Sequence, residues 1–374
     1  MWLPTSLRVV LPLFLLTLVN ASKVTETSVS LPVPTSIAPP PNQGIPTPKN
    51  ISRDVVNLAG FPVNVYGLDQ LRHKPGKKPE IAVVVYMHGR YEDALAEDAI
   101  VRDLFSHTYK LKKSDSYKAE RDLLIVSFDA QDHGWRLTDK KQRHDLDVNP
   151  KFLYDQYAIL LNNKDYVSYI IDFLPTFLFP RGQRNITRWI AAGRSMGAHS
   201  TWHVLSAEPR VKTGVVFVGM PDYNALMRQR LGQMHRKVEP PYVPDAFAAL
   251  VNKTDPAMTP YTSNDSTKNP FWGKHIFQAN GGADTLVPFS LSEHFLSRVV
   301  LGPDTQLTNE SLEIFVEPHI PHQVTRRMIN LAAMWIYRWE IAKTPNVTLP
   351  HVHLNAPTMA RPKASVAATP THAP

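Results

Sequence analysis

The sequence predicts an α/β protein with a mostly parallel β-sheet and helices on both faces. Apolar segments of strand length alternate with stretches of helical periodicity between residues 51 and 343. The segment 81–87 is apolar almost throughout, as expected of a strand that is covered on both faces. The segment 187–193 runs directly into a glycine-rich turn and a helical stretch. Strands are predicted at 62–67, 81–87, 122–128, 187–193, 213–218, 275–280 and 311–316.

The amino-terminal segment is typical of an exported protein. Residues 1–21 combine a short basic opening, an 11-residue apolar stretch and small residues at the end, which predicts a cleaved signal peptide. Because a bilayer span takes about 20 apolar residues, we expect no stable membrane span. The predicted location is extracellular. Glycosylation in the secretory route fits the six Asn-x-Ser/Thr sites at Asn50, Asn185, Asn252, Asn264, Asn309 and Asn346.

Composition divides the rest of the chain into three parts. Residues 22–50 are rich in proline and small polar residues, which predicts an extended linker. Residues 344–374 have a similar composition and are predicted to be a disordered tail. The part between them, 51–343, has the length of one large domain. Within this domain, 222–272 is too long for a single crossover between strands, and we expect it to form a small cap or lid.

Charge and cysteine content exclude several classes of function. The chain has no cysteine, so disulfides and thiolate metal sites are impossible, and we expect neither a metal nor a cofactor. The formal net charge is +8, but the basic residues are scattered and no nucleic-acid motif accompanies them. A solvated basic surface is the simplest interpretation, and weak attraction to acidic polymers is the alternative.

A serine nucleophile is predicted at Ser195. This residue is the centre of a Gly-x-Ser-x-Gly motif between a strand and a helix, a turn that exposes the serine in a strained conformation. Gly193 and Gly197 leave the space that such a turn requires. Met196 follows the serine at the predicted start of the helix. Its backbone N–H is therefore predicted to stabilise a negative oxygen that develops on the substrate.

Serine needs a histidine base and an acid that orients the histidine, and both follow the serine in the chain. Asp284 lies just past the predicted strand 275–280, and Asp222 after strand 213–218 is the alternative acid. His322 lies in the loop after strand 311–316, directly before a helical stretch. His319, three residues earlier, is the alternative base.

The second oxyanion donor is expected in the loop after strand 81–87. Here the sequence His88-Gly89-Arg90 follows the strand, and the Arg90 N–H is the predicted donor, with Gly89 beside it. The same glycine is equally explained by a simple turn of the chain.

These segments resemble the α/β-hydrolase superfamily, and more closely a group of fungal α/β-hydrolases related to prolyl-oligopeptidase-like and bacterial YitV-like proteins. In that group the histidine before a Glu/Gln-Val-Thr run is the expected base, which supports His322. Two positions differ from the group: Asp132 stands where an arginine is usual, and Arg194 makes the elbow bulkier. The resemblance spans about residues 60–343 and is carried by 63–68, 88–90, 127–136, 193–197, 219–223, 284–288 and 318–325.

The resemblance implies a secreted serine hydrolase with a Ser-His-Asp triad and an acyl-enzyme intermediate. The expected substrate is a small-molecule or polymer-linked carboxylic ester. A peptidase or amidase is the enzymatic alternative, and a non-catalytic binding protein with the same fold is the alternative from another class.

Overall fold

The computed structural model describes residues 44–343 except 72–78, 114–118, 140–143, 304, 306–307 and 309. The predicted signal peptide, most of the predicted linker, the predicted tail and two glycosylation sites, Asn309 and Asn346, lie outside the described residues. No helix in the described ranges has the length and apolar character needed to cross a membrane.

The described residues form one sheet of eight strands in the order β1-β2-β4-β3-β5-β6-β7-β8. β2 is antiparallel to both β1 and β4, and all other neighbours are parallel. This arrangement is the α/β-hydrolase fold. The strands are β1 (Arg53–Leu58), β2 (Phe61–Tyr66), β3 (Glu80–Met87), β4 (Arg121–Phe128), β5 (Ile186–Arg194), β6 (Val211–Phe217), β7 (His275–Gly281) and β8 (Leu312–Glu317).

The structure confirms the predicted mostly parallel sheet and adds one strand. All seven predicted strands are present, with ends that shift by at most two residues. The additional strand is β1, which lies at the edge of the sheet. Only Leu58 of its six residues is buried, so the strand lacks the apolar pattern by which the others were predicted.

Helices cover both faces of the sheet. Alternate residues of β3 enter two different apolar clusters: Val83 and Val85 lie in one, and Ala82 and Val84 in the other. Three helices, α2, α3 and α6, pack into the first cluster, whereas α1 and α7 pack into the second. The helices are α1 (Asp98–Lys113), α2 (Phe152–Leu178), α3 (Met196–Ala207), α4 (Tyr223–Gln233), α5 (Asp245–Thr254), α6 (Ser290–Leu296) and α7 (Arg326–Ile336), which a π-helix (Tyr337–Ile341) extends.

The insert 222–272 lies between β6 and β7 and contains α4 and α5. Its buried apolar residues from Tyr223 to Val251 belong to a third cluster, which also includes the first turns of α2 and Met196, whereas Tyr261 and Phe271 lie in the first cluster. The insert is therefore packed against the residue that follows the predicted nucleophile. Its function as a lid stays a prediction.

Candidate active site

The turn between β5 and α3 holds Ser195 in a conformation that is rare for a residue with a side chain. Its φ is 51° and its ψ is −113°, values that strain the backbone. A Cβ at Gly193 would overlap the backbone of Gly197, and a Cβ at Gly197 would overlap the carbonyl of Met87. The two glycines of the motif are thus required by close backbone contacts on both sides of the serine.

Three predicted side chains meet at this turn and form a continuous chain of hydrogen bonds. His322 Nε2 lies 2.9 Å from Ser195 Oγ, and His322 Nδ1 lies 2.7 Å from Asp284 Oδ2. The Asp284 side chain has no exposed surface, and that of His322 is 15% exposed. With an ionised Asp284, Nδ1 carries a proton that it donates to the carboxylate, and Nε2 accepts from the serine hydroxyl.

The other oxygen of Asp284 is held by the backbone. Its Oδ1 accepts hydrogen bonds from the N–H groups of Leu286 and Val287, both at 2.9 Å. Together with the imidazole, these donors fix the orientation of the carboxylate. Asp284 can therefore orient His322 and stabilise its positive charge.

The loops that carry the acid and the base are bonded to each other. The N–H of Gly282 donates to Glu317 O at 2.7 Å, and the N–H of Ala283 donates to Ile320 O at 2.9 Å. Both loops follow the carboxyl ends of neighbouring strands, β7 and β8. The distance between Asp284 and His322 is thus set by backbone hydrogen bonds between the residues that precede each of them.

The alternative residues occupy other positions. Asp222 is the N-cap of α4, where its Oδ1 accepts from the Ala225 N–H at 2.9 Å. His319 is exposed on the turn after β8, with a φ of 61°. The geometry therefore favours Asp284 and His322 over both alternatives.

The predicted oxyanion donors lie on two adjoining segments. Met196 is the first residue of α3, so its N–H has no partner within the helix. In the loop after β3, the Gly89 N–H donates to Glu97 Oε1 at 2.7 Å and is engaged there. His88 Nδ1 lies 2.7 Å from Gly89 O, and His88 Nε2 accepts from the Ala130 N–H at 2.9 Å. Both the N–H and the carbonyl of Gly89, directly before Arg90, are consequently held by hydrogen bonds.

A buried charged cluster lies beneath this loop, and the sequence does not predict it. It consists of Arg194, which precedes the nucleophile, with Glu92, Glu97 and the hydroxyl of Tyr86. In the sequence, Arg194 differs from the pattern of the resembling group only by its larger size. The available signal was a charged residue at the end of an otherwise apolar strand, which needs a buried partner. Its partners are too distant in sequence to be recognised from spacing.

A neutral histidine lies beside the triad. His199 of α3 is buried, and its Nδ1 lies 3.1 Å from the Met220 N–H. Burial lowers the pKa of His199 to about 4, and the nearby His322 adds to this effect. At neutral pH the residue therefore brings no positive charge close to the base.

The insert contacts both the acid loop and the surroundings of the nucleophile. Gln229 and Gln233 of α4 donate to Thr285 O, at 3.2 and 3.4 Å. Leu226 and Met227 lie in the same apolar cluster as Met196.

Within the described ranges, no group of three or more His, Cys, Asp or Glu side chains is arranged to hold a metal ion.

Comparison with known proteins shows the fold. No protein-family model and no curated protein matches the chain. TT1662 from Thermus thermophilus is similar in structure, with 18% identity, a TM-score of 0.53, and coverage of 77% of this chain and 98% of that one. The esterase Pf2001 of Pyrococcus furiosus has 17% identity and a TM-score of 0.43, with 77% of this chain and 92% of that chain covered.

A third solved structure, the acylaminoacyl peptidase of Pyrococcus horikoshii, has 14% identity and a TM-score of 0.45. The match covers 78% of this chain and 42% of the peptidase. The likeness to TT1662 shows the fold and nothing finer. The chain is a protein of the α/β-hydrolase fold.

Proposed function

We propose that the protein is a serine hydrolase that cleaves carboxylic esters through an acyl-enzyme. The observation that carries this proposal is the hydrogen-bonded chain from Ser195 Oγ through His322 to the buried Asp284. The serine stands on a strained turn at the start of a helix, which is the arrangement that an activated nucleophile requires. The resemblance to the fungal group favours an ester over an amide.

The geometry suggests a two-step reaction. His322 takes the hydroxyl proton as Ser195 Oγ attacks the acyl carbonyl, and the N–H groups of Met196 and Arg90 stabilise the oxyanion. His322 then gives the proton to the leaving alcohol, which leaves the acyl group on the serine. Water, deprotonated by the same imidazole, attacks the acyl-enzyme and restores the free serine. Asp284 holds the imidazole in one tautomer and stabilises its positive charge throughout.

A fluorophosphonate probe tests the proposal because it labels an activated serine and ignores an inert one. We expect the wild-type protein to be labelled and Ser195→Ala not to be. Ser206→Ala is the matched control, since Ser206 lies near the other end of α3, where its hydroxyl donates to His203 O at 3.0 Å. Absence of labelling in the folded wild-type protein would favour a non-catalytic binding protein and refute the proposal.

Paired substrates separate esterase from amidase activity. Esters and anilides with the same acyl group differ only in the leaving group, so the ratio of their kcat/KM values reports the preference directly. We expect the esters to be cleaved and the matched anilides to be poor substrates. A preference for the anilides would assign a peptidase or amidase activity to the same triad.

The proposal includes export and glycosylation. Asn50, Asn185, Asn252 and Asn264, the four acceptor residues within the described ranges, are all exposed, as glycan attachment requires. Protein recovered from the medium should begin at or near Ser22 and shift to lower mass after glycosidase treatment. An intact Met1 on the secreted product would contradict a cleaved signal peptide.

A further inference from the structure

One carboxylate oxygen joins the nucleophile turn to the loop that carries the second proposed oxyanion donor. Glu97 Oε1 accepts from the Gly89 N–H at 2.7 Å and from Arg194 Nε at 2.8 Å. Gly89 directly precedes Arg90, and Arg194 directly precedes Ser195. The two backbone segments that must surround the reacting carbonyl are therefore bonded to the same atom.

The bond network is buried, so it is held in one arrangement. Glu97 is fully buried and Arg194 is 4% exposed. The other oxygen of Glu97 accepts from the Tyr86 hydroxyl, and the Arg194 guanidinium also contacts Glu92. Removing one member of such a group leaves a buried charge or donor without a partner, which is unfavourable by several kcal/mol at most sites.

The pKa values of the two carboxylates of the network shift in opposite directions. Burial, together with the nearby Glu97, raises the pKa of Glu92 far above its ordinary value. Burial would also raise the pKa of Glu97, but the Arg194 charge and its hydrogen-bond donors lower it instead. The Arg194 charge thus favours the ionised form of Glu97, whereas burial favours the neutral form of Glu92.

The network also restricts the orientation of the peptide between Gly89 and Arg90. In a trans peptide the carbonyl of one residue and the N–H of the next point in opposite directions. His88 Nδ1 lies within hydrogen-bond distance of Gly89 O, and Glu97 holds the Gly89 N–H. The Arg194 guanidinium fills the space where a Cβ at Gly89 would lie, so only glycine fits there. The direction of the Arg90 N–H follows from these contacts.

We propose that Glu97, held by Arg194, is a positioning residue that fixes the Gly89–Arg90 peptide relative to Ser195 and so preorganises the oxyanion site. The inference rests on the proposed serine hydrolase activity. Glu97 touches neither the substrate nor the triad. It acts through the backbone of the oxyanion loop and through the residue before the nucleophile.

Glu97→Gln tests the proposal because it removes the charge that holds Arg194 and keeps the size of the side chain. Loss of one oxyanion donor lowers kcat by about 10² to 10³ in serine hydrolases. We expect misplacement of the donor to lower kcat by at least about tenfold, with KM changed less than about twofold. The pH midpoint of kcat/KM, which the base sets, should not move.

Two matched variants separate positioning from general loss of a buried carboxylate. Glu340→Gln removes another buried glutamate, which bonds Thr213 near the start of β6, and should leave kcat unchanged. Glu92→Gln changes the other carboxylate of the network, which contacts the Arg194 guanidinium. It should lower kcat much less than Glu97→Gln, because Glu97 is the group that holds the Gly89 N–H. An equal loss in the two network variants would overturn the assignment of Glu97 as the positioning group.

Thermal melting and fluorophosphonate labelling complete the test. If folded Glu97→Gln has a lower Tm but wild-type kcat, Glu97 is only structural, and the positioning proposal is refuted while the hydrolase proposal stands. If the wild-type protein is not labelled, the hydrolase proposal itself has failed. Should Glu97→Gln not fold, Arg194→Lys replaces it, because lysine keeps the charge and loses the forked geometry. A full wild-type kcat in folded Arg194→Lys would equally refute the proposal.

Discussion

Gly197 lies so close to the carbonyl oxygen of Met87 that no side chain fits between them. Met87 is the last residue of β3, and Gly197 is the second residue of α3. The start of α3, directly after Ser195, is thus in direct contact with the end of the strand that leads to Gly89 and Arg90. This contact and the Arg194 network both join the end of β3 and the loop after it to the turn between β5 and α3.

Gly197→Ala should disturb this contact. The added methyl group would overlap the Met87 backbone, which cannot rotate away as a side chain can, so we expect a loss of about 1–3 kcal/mol in stability and a lower kcat. Gly232→Ala is the control. No atom lies within 4 Å of a Cβ at Gly232 in α4, and the change should stabilise the protein by up to about 1 kcal/mol. Equal Tm values for the two variants would contradict the packing argument.

His322→Ala should lower kcat by about 10⁴ or more, because the serine then has no base. The double variant with Ser195→Ala should be little worse than either single change, since the residues act as a unit. His319→Ala should retain wild-type activity, as His319 is exposed on the adjacent turn. Steady-state kinetics on a chromogenic ester measures all four proteins. High activity in folded His322→Ala, with loss in His319→Ala, would assign the base to His319.

Asp284→Asn should lower kcat by about 10³ to 10⁴. Its Oδ1 can still accept from the Leu286 and Val287 N–H groups, which turns the amide NH₂ toward His322 and favours the wrong imidazole tautomer. Asp222→Asn should leave kcat unchanged, because asparagine also caps a helix N-terminus. The kcat values of the two variants decide which aspartate is the acid.

The exposed connection between α4 and α5 offers a test of the lid. Apolar residues of both helices, such as Leu226 and Phe247, are buried in the cluster that includes Met196, so the test shortens only the exposed residues 235–239. We expect the ratio of kcat/KM for long and short acyl esters to change by about tenfold, with fluorophosphonate labelling retained. The same change at exposed residues 181–183, before β5, should leave the ratio unaltered. Unfolding with loss of labelling would instead give the insert a purely structural role.

The stability of the protein should depend on pH through Glu340. Burial raises the pKa of Glu340 from 4.5 to about 7, so between these values the folded protein keeps a proton that the unfolded chain has released. Stability is therefore lost as the pH rises through this window. In Glu340→Gln this residue cannot ionise, so the variant should gain stability relative to the wild type between pH 5 and pH 8. The gain in the free energy of unfolding should be on the order of 3 kcal/mol, and it is measured as a rise in Tm relative to the wild type. A Tm difference that is independent of pH would contradict the assigned pKa.

The sequence predicted the fold because most strands are buried and therefore apolar. It indicated Ser195, Asp284 and His322 as candidate site residues because each follows the end of such a strand, where parallel sheets place their functional loops. The edge strand β1 was missed because a half-exposed strand needs no apolar pattern. The Arg194 network was missed because Glu97 and Arg194 are 97 residues apart and meet only when β3 and β5 pair.

The insert 222–272 leaves the sheet between the strands that lead to two members of the proposed triad. β6 lies between the strands that lead to Ser195 and Asp284, yet no member of the triad follows it. The exposed connection 235–239 can therefore differ without touching these side chains, whereas changes in α4 reach Thr285 and the cluster of Met196 through their contacts. In the proposed hydrolase, this layout favours redesign by exchange of the exposed connection 235–239, because the insert residues that contact Thr285 and pack with Met196 then stay in place.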